Sequence, residues 1–241
     1  MTRVLRLLPA SLWDKVPRDH RESDEAFRRR RRVTAATAVA GAGLLGVSLS
    51  RRPDSPEFYG LTLAVAGTWL AGGLASGPLH LGFLRSADQR LRRPVVVPVL
   101  TGCGAFGAFY GAALEARRVP VLDRAITTVL RYADEGSAPL VLTTTLANGL
   151  AEEVFFRGAL YAAVGAERPV LTSTAVYGLA TTATRNPALV LASLAMGLLF
   201  GLQRRASGGI QAPVLTHLTW SALMLRFLPP LFAGRRSELA A

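Results

Sequence analysis

Long apolar stretches separated by short charged segments are the main pattern of this chain. A helix that crosses a bilayer needs ~20 apolar residues, so blocks of this length are typical of membrane spans, while the block near residue 175 is too short. The pattern predicts an all-α protein, a polytopic transmembrane bundle of about seven helices. The apolar blocks cover residues 33–50, 58–84, 95–116, 138–165, 170–183, 188–203 and 209–232.

Residues 119–136 depart from this pattern. Their sequence, "VPVLDRAITTVLRYADEG", alternates charged and apolar residues at helical spacing. An amphipathic helix places its charged face in water and its apolar face against protein or lipid. We therefore expect an interfacial helix that does not span the membrane.

Composition and charge support a membrane protein. The chain is 50% hydrophobic and 18% charged, with a mean hydropathy of +0.30, whereas a soluble domain carries ~25% charged residues. The net charge of +12 comes largely from arginine clusters between apolar blocks. No basic amphipathic helix or zinc-finger spacing accompanies these arginines, so we expect a lipid bilayer as partner and no nucleic acid.

The arginine clusters also predict an orientation. Cytoplasmic loops carry an excess of arginine, so the Arg28 to Arg32 run and the loop 85–93 belong inside, while "RRPDSPE" belongs outside. We expect an inner-membrane protein with a cytoplasmic N-terminus. Lys15 is the only lysine, which favours a GC-rich bacterial source. Seven spans would place the C-terminus outside despite Arg235 and Arg236, so either one block is not a span or the rule fails there.

Glu152, Glu153 and Arg157 lie inside the apolar block "LVLTTTLANGLAEEVFFRGALYAAVG". An ionised side chain at the centre of a membrane helix costs at least ~2.5 kcal/mol, so such residues face protein or a wet cavity. We therefore expect them in a polar cavity inside the membrane.

Helical geometry divides these three charges. Glu153 and Arg157 are four residues apart, so they share a face and can neutralise each other. Glu152 is rotated by ~100° and shares its face with Asn148. An unpaired carboxylate in a cavity can act as a general base. The alternative is that both glutamates belong to one structural ion-pair network with Arg157.

His217 lies deep within the last apolar block, and Ser221 lies one helical turn after it. A lone histidine in a helix is more often a structural core residue than a ligand. His217 is different because a second polar helix already needs an interior partner.

Small residues predict close helix packing. Gly73 with Gly77, Gly107 with Gly111 and Gly197 with Gly201 are each four residues apart, a spacing that brings membrane helices together. The lone Cys103 lies in an apolar block and is expected to be a buried thiol.

These motifs resemble the CPBP (CAAX protease and bacteriocin-processing, Abi) family of intramembrane proteases. Its first motif, EExxxR, is met in full by Glu152, Glu153 and Arg157. Its third motif is a histidine followed four residues later by asparagine or aspartate, and here His217 is followed by Ser221.

The second motif of that family is degenerate here. It is an aromatic residue with a histidine four residues later, and the matching stretch "STAVYGLATTA" has Tyr177 and Thr181 instead. The resemblance covers residues 138–226.

The resemblance implies packed membrane helices around a water-filled conical cavity in which a peptide bond is hydrolysed. It implies that Glu152 activates water, that Glu153 and Arg157 hold the site, and that two histidines bind a metal or orient water and stabilise the oxyanion. Thr181 cannot replace imidazole as a nitrogen ligand, although its hydroxyl can donate a hydrogen bond. A divalent metal such as zinc is an open cofactor, and the expected site is Glu152, Glu153, Arg157, His217, Thr181 and Ser221.

Two main functions follow from these observations. The first is an intramembrane endopeptidase that uses Glu152 as general base on a membrane-associated peptide or protein. The second is a non-catalytic protein of the same fold that binds a membrane partner; a proton-coupled transporter is a third option. The chain divides into a basic cytoplasmic arm (1–32), transmembrane helices with the interfacial helix (33–135), a CPBP-like core (136–232) and a tail (233–241).

Overall fold

The structure of the protein is a computed structural model that describes residues 22–86, 88–165 and 167–239, with side chains up to residue 232. It is almost entirely helical, as predicted, and has one small addition, an antiparallel hairpin of two-residue strands. The elements are α1 (Asp24–Ser48), α2 (Pro56–Ala75), β1 (Leu84–Arg85), β2 (Leu91–Arg92), α3 (Val96–Ala116), α4 (Pro120–Glu135), α5 (Ala138–Glu152), a π-helical segment (Glu153–Leu160), α6 (Tyr161–Val164), α7 (Pro169–Thr181), a 3-10 turn (Thr182–Thr184), α8 (Pro187–Ser207) and α9 (Gln211–Leu239).

Three of the described helices, α2, α3 and α8, are long and apolar enough to cross a bilayer. Large apolar side chains such as Val39, Leu100 and Leu179 are more than half exposed, which suits a surface surrounded by lipid. Helix α7 has 13 residues and is therefore about 20 Å long. It is too short to span the membrane, which agrees with the short apolar block in the sequence. The chain is a helical membrane bundle with some helices of less than full length.

The first helix begins earlier than the apolar pattern predicted. It starts at Asp24, where the Ser23 side chain accepts a hydrogen bond from the backbone N–H of Ala26 at 3.2 Å and caps the helix. The charged residues 24–32 are therefore the first turns of α1. Arg30 is fully buried because Glu22, the Ser76 hydroxyl and a backbone carbonyl bind its guanidinium. The amphipathic start of the predicted arm lies outside the described residues.

One end of the bundle, which we call the hairpin end, contains the hairpin and the neighbouring ends of four helices. These are the start of α1, the end of α2, the end of α8 and the start of α9. Phe83 N–H donates to the Ser207 carbonyl at 2.7 Å, and Ile210 N–H donates to the His80 carbonyl at 2.8 Å. Gly82 has φ +84°, and a Cβ atom at either Gly82 or Gly209 would overlap the other segment's backbone. Only glycine permits this close approach.

Helix α4 lies at the opposite end of the bundle, which we call the α4 end. The Tyr132 hydroxyl lies 2.8 Å from the Leu49 carbonyl oxygen and 2.7 Å from the Arg51 carbonyl oxygen, and these two acceptors share its single proton. The Asn186 side-chain amide donates to the Ala125 carbonyl at 2.8 Å. Helix α4 has only 16 residues and one buried face, in agreement with the predicted amphipathic helix that does not span.

Aromatic packing joins α2 to the segment after α5. Trp69 is fully buried, and its ring centroid lies 4.7 Å from that of Phe155 and 5.0 Å from that of Phe156. Gly41 of α1 leaves room for this indole, because a Cβ there would lie 2.3 Å from the ring. Phe155 and Phe156 are part of the EExxxR motif, so the motif itself contributes to the packed core of the bundle.

The glycine predictions were correct for two helices and wrong for a third. A Cβ at Gly73 would clash with Val154, and one at Gly201 would lie 3.0 Å from Val170, so these glycines permit close packing. Nothing described lies within 4 Å of such an atom at Gly107 or Gly111. The physical reason is that most of the surface of α3 faces away from the other helices. Only 17% of its apolar stretch is buried inside the bundle. Cys103 of this helix is likewise exposed and not buried as expected.

Candidate active site

A cavity of about 300 Å³ lies among the helices, and its lining includes Glu152 and His217 as well as Leu49 and Tyr132 of the α4 end. Its walls come from α1, α2, α4, α5, α7, α8 and α9. Most of the wall area is apolar, and polar side chains such as Asn148, Glu152 and His217 are set into it, as is usual for ligand-binding cavities. Apolar lining residues include Leu45, Phe58, Val65, Leu130, Val141, Leu189, Met196, Trp220 and Leu225.

The backbone changes from α-helix to π-helix within the first motif. Helix α5 ends at Glu152, and the residues from Glu153 to Leu160 form a π-helical segment. π-Helical turns are rare in proteins, but those that do occur often lie at functional sites. Arg204 of α8 supports this turn, because its Nε donates to the Arg157 carbonyl at 2.6 Å. Sequence spacing predicted an uninterrupted α-helix here, so the π-helix is a correction.

Glu153 and Arg157 form the ion pair that their spacing predicted, with Arg157 Nη1 at 3.1 Å from Glu153 Oε1. His217 Nδ1 lies 2.9 Å from the same oxygen. Both charged side chains are fully buried. A carboxylate paired with arginine can only accept, so Nδ1 of His217 carries the proton of this hydrogen bond.

Aromatic rings surround the Arg157 guanidinium. Its central carbon lies 4.7 Å from the ring centroid of Tyr177, 5.1 Å from that of Phe200 and 5.8 Å from that of Phe156. Among the described residues, Arg157 Nε and Nη2 have no hydrogen-bond partner. Cation–π attraction to these rings therefore replaces part of the lost hydration of the guanidinium.

Glu152 is separate from this ion pair. It lines the cavity, and its Oε2 accepts a hydrogen bond from the Tyr177 hydroxyl at 2.6 Å. The two adjacent glutamates thus have different surroundings: Glu153 is sealed behind the wall with Arg157 and His217, while Glu152 faces the cavity. The sequence interpretation with Glu152 as a general base requires this difference in surroundings, and the interpretation with both glutamates in one ion-pair network does not.

Thr181 and Ser221, the two departures from the family motifs, both line the cavity. The Thr181 hydroxyl donates to the Tyr177 carbonyl at 2.8 Å, one helical turn earlier. A hydroxyl has one proton, so this bond occupies the donor that a developing oxyanion would need. Ser221 is buried beside the His217 turn of α9.

Four of the six predicted site residues line one cavity, and two do not. Glu153 and Arg157 are completely buried behind the cavity wall, because the π-helical segment turns them away from Glu152. Tyr177 lines the cavity and was absent from the predicted site. The sequence did contain a signal for this residue. The second motif requires only an aromatic ring at position 177, and tyrosine adds a hydroxyl that the motif does not require.

The donor set does not fit a catalytic metal ion. Such sites use three protein ligands and an open position. The described part of the chain has no group of three His, Cys, Asp or Glu side chains that could hold a metal. Thr181 supplies no nitrogen, and His217 already uses Nδ1 on Glu153.

The fold and the site together define a helical membrane protein with polar side chains in an internal cavity. Residues 134–223 match the family model described as type II CAAX prenyl endopeptidase Rce1-like. This match confirms, over that segment, the resemblance to the CPBP family. No curated protein and no solved structure matches the chain. The matched segment contains Glu152, Glu153, Arg157, Tyr177, Thr181, His217 and Ser221.

Proposed function

We propose that this protein is an intramembrane endopeptidase in which Glu152 is the general base. The observation that carries the proposal is the separation of two adjacent carboxylates. Glu153 is neutralised by Arg157 and held by His217, whereas Glu152 lines the cavity and, within the described part of the chain, accepts its side-chain hydrogen bond from the neutral hydroxyl of Tyr177. A carboxylate without a cationic partner can take a proton from water.

The reaction is a direct hydrolysis. Glu152 removes one proton from a cavity water, whose oxygen forms a bond to the carbonyl carbon of the substrate. The carbonyl π electrons move to its oxygen and produce a tetrahedral oxyanion. The C–N bond then breaks, and the proton held by Glu152 passes to the leaving nitrogen, which gives a carboxylic acid and an amine.

His217 orients the water in this proposal. The Glu153 carboxylate fixes the proton on Nδ1, so Nε2 of the neutral ring is an acceptor. A second partner that fixes the tautomer of a histidine is a common device of active sites. The ring is held further by stacking on Phe200, with centroids 4.8 Å apart.

The apolar walls point to a substrate with apolar side chains near its scissile bond. Phe58, Val65, Met196 and Leu225 offer no charged or hydrogen-bonding side-chain groups to the cavity. A polar substrate would lose its hydration here without compensation. Membrane-associated peptides or proteins therefore suit the cavity.

Cleavage of a peptide library tests the proposal. Purified protein in detergent is incubated with diverse peptides that carry apolar segments, and products are mapped by mass spectrometry. We expect new termini within apolar segments. Peptides that bind without any cleavage would contradict the proposal and support the alternative below.

A non-catalytic protein of the same fold is the second candidate. The specific observation in its favour is that Thr181 replaces the motif histidine and bonds only to the backbone of its own helix. In that case the cavity binds an apolar segment of a membrane partner.

We place the hairpin end of the protein in the cytoplasm because it carries the Arg28 to Arg32 run and the hairpin arginines. The cavity lining then extends from Glu152 toward the outer side, where Leu49 and Tyr132 lie. In a Cys103→Ser background, a membrane-impermeant maleimide added to intact bacterial cells should label Ser50→Cys and not Ser86→Cys. The reverse labelling would show the opposite orientation.

A further inference from the structure

We propose that Tyr177 is a second catalytic residue, whose hydroxyl stabilises the oxyanion in place of the missing motif histidine. This rests on the proposed hydrolysis. The hydroxyl already lies 2.6 Å from Glu152 Oε2, so it reaches the carboxylate that activates water. The donor therefore lies next to the group that activates water, where the reaction takes place in the proposed hydrolysis.

The tyrosine ring is held in a fixed position. Its centroid lies 4.5 Å from that of Phe156, and the Arg157 guanidinium lies over its face at 4.7 Å. Gly197 of α8 packs beside both groups, since a Cβ there would lie 3.4 Å from the Tyr177 ring and 3.4 Å from Arg157 Nη2. Preorganised donors of this kind are the usual means of stabilising an oxyanion.

Three other polar side chains that line the cavity already use their donors elsewhere. The Thr181 hydroxyl donates to a backbone carbonyl, and His217 Nδ1 bonds to Glu153. Asn148 uses both protons of its amide, on the Thr62 carbonyl at 3.0 Å and the Thr144 carbonyl at 2.9 Å. Tyr177 differs because its acceptor is the general base itself.

That acceptor changes during the reaction. When Glu152 takes the proton of water it becomes neutral and a weaker acceptor, while negative charge appears on the substrate oxygen. The Tyr177 O–H then turns from Glu152 to the oxyanion and keeps its proton throughout. It returns when Glu152 delivers its proton to the leaving nitrogen. A charged acceptor binds a hydroxyl roughly twice as strongly as a neutral one, so charge drives both movements.

The test compares two matched substitutions, Tyr177→Phe and Tyr59→Phe. Both remove a tyrosine hydroxyl that donates to a carboxylate, but Tyr59 bonds to Asp54 at 2.8 Å and lies outside the cavity lining. Rates of cleavage of one substrate from the peptide library are measured in detergent, with thermal unfolding as the check on folding. We expect kcat of Tyr177→Phe to fall ~10²–10³-fold with little change in KM, the size of effect seen when an oxyanion donor is removed. Tyr59→Phe should stay within a few-fold of the native rate.

Three outcomes overturn the proposal. A Tyr177→Phe rate within a few-fold of native, with Glu152→Gln inactive, overturns the role of Tyr177 alone. A large loss in Trp220→Phe and none in Tyr177→Phe assigns the donor to Trp220, whose buried Nε1 has no partner among the described residues. Absence of any Glu152-dependent cleavage in the native protein overturns the endopeptidase and the role of Tyr177 together.

Discussion

Glu152→Gln should lower the rate of peptide cleavage by ~10²–10⁴-fold and leave the stability of the folded protein nearly unchanged. The amide has the same size as the carboxylate but cannot accept the proton of water. Its oxygen can still accept the hydrogen bond from Tyr177, so no buried donor loses its partner. Initial rates on a library substrate and thermal unfolding in detergent measure the two quantities on the same preparation.

Glu153→Gln is the matched control for this prediction. It removes a carboxylate one residue away, but that carboxylate pairs with Arg157 and His217 and lies behind the cavity wall. Glu153→Gln should therefore reduce stability as well as activity. Equal loss of stability in both variants would favour one structural network and would contradict the separate role of Glu152.

Arg157→Ala should destabilise the protein by ~3–5 kcal/mol, the cost of breaking a buried ion pair by removing one partner. The variant leaves the fully buried Glu153 without its cation and opens a space between the Phe156, Tyr177 and Phe200 rings. We expect a large drop in the yield of folded protein and in its unfolding temperature.

Arg131→Ala provides the control for that measurement. Arg131 also pairs with a glutamate four residues away, at 2.8 Å from Glu135, but both side chains are about half exposed. An exposed pair contributes below ~1 kcal/mol, so this variant should unfold close to the native temperature. Similar unfolding of the Arg157 and Arg131 variants would contradict a structural role for the buried pair.

Much of the fold followed from the sequence because lipid imposes strict rules on it. Apolar length predicted the helices, the amphipathic pattern predicted that α4 does not span, and helical spacing predicted the Glu153–Arg157 pair. Charged residues inside an apolar block pointed to a polar interior, where Glu152 and His217 now line one cavity. Each of these inferences used the cost of placing charge in hydrocarbon.

Other features depended on contacts between distant parts of the chain. The π-helical segment is supported by a hydrogen bond from Arg204 of α8, and Arg30 of α1 is buried with partners at Ser76 and Pro78. The importance of Tyr177 came from the distance of its hydroxyl to Glu152. Periodicity and local spacing carry no information about such partners, so the sequence alone could not predict them.

The most direct test of the account is chelator-resistant, Glu152-dependent hydrolysis in water enriched in ¹⁸O. Native protein and Glu152→Gln are reconstituted in lipid vesicles with a library substrate, with and without a strong metal chelator. The account predicts that the native protein releases a product with one ¹⁸O in its new carboxyl group at the same rate under both conditions, and that Glu152→Gln releases none. Product formation that is equal in both proteins, or that the chelator abolishes, would contradict it.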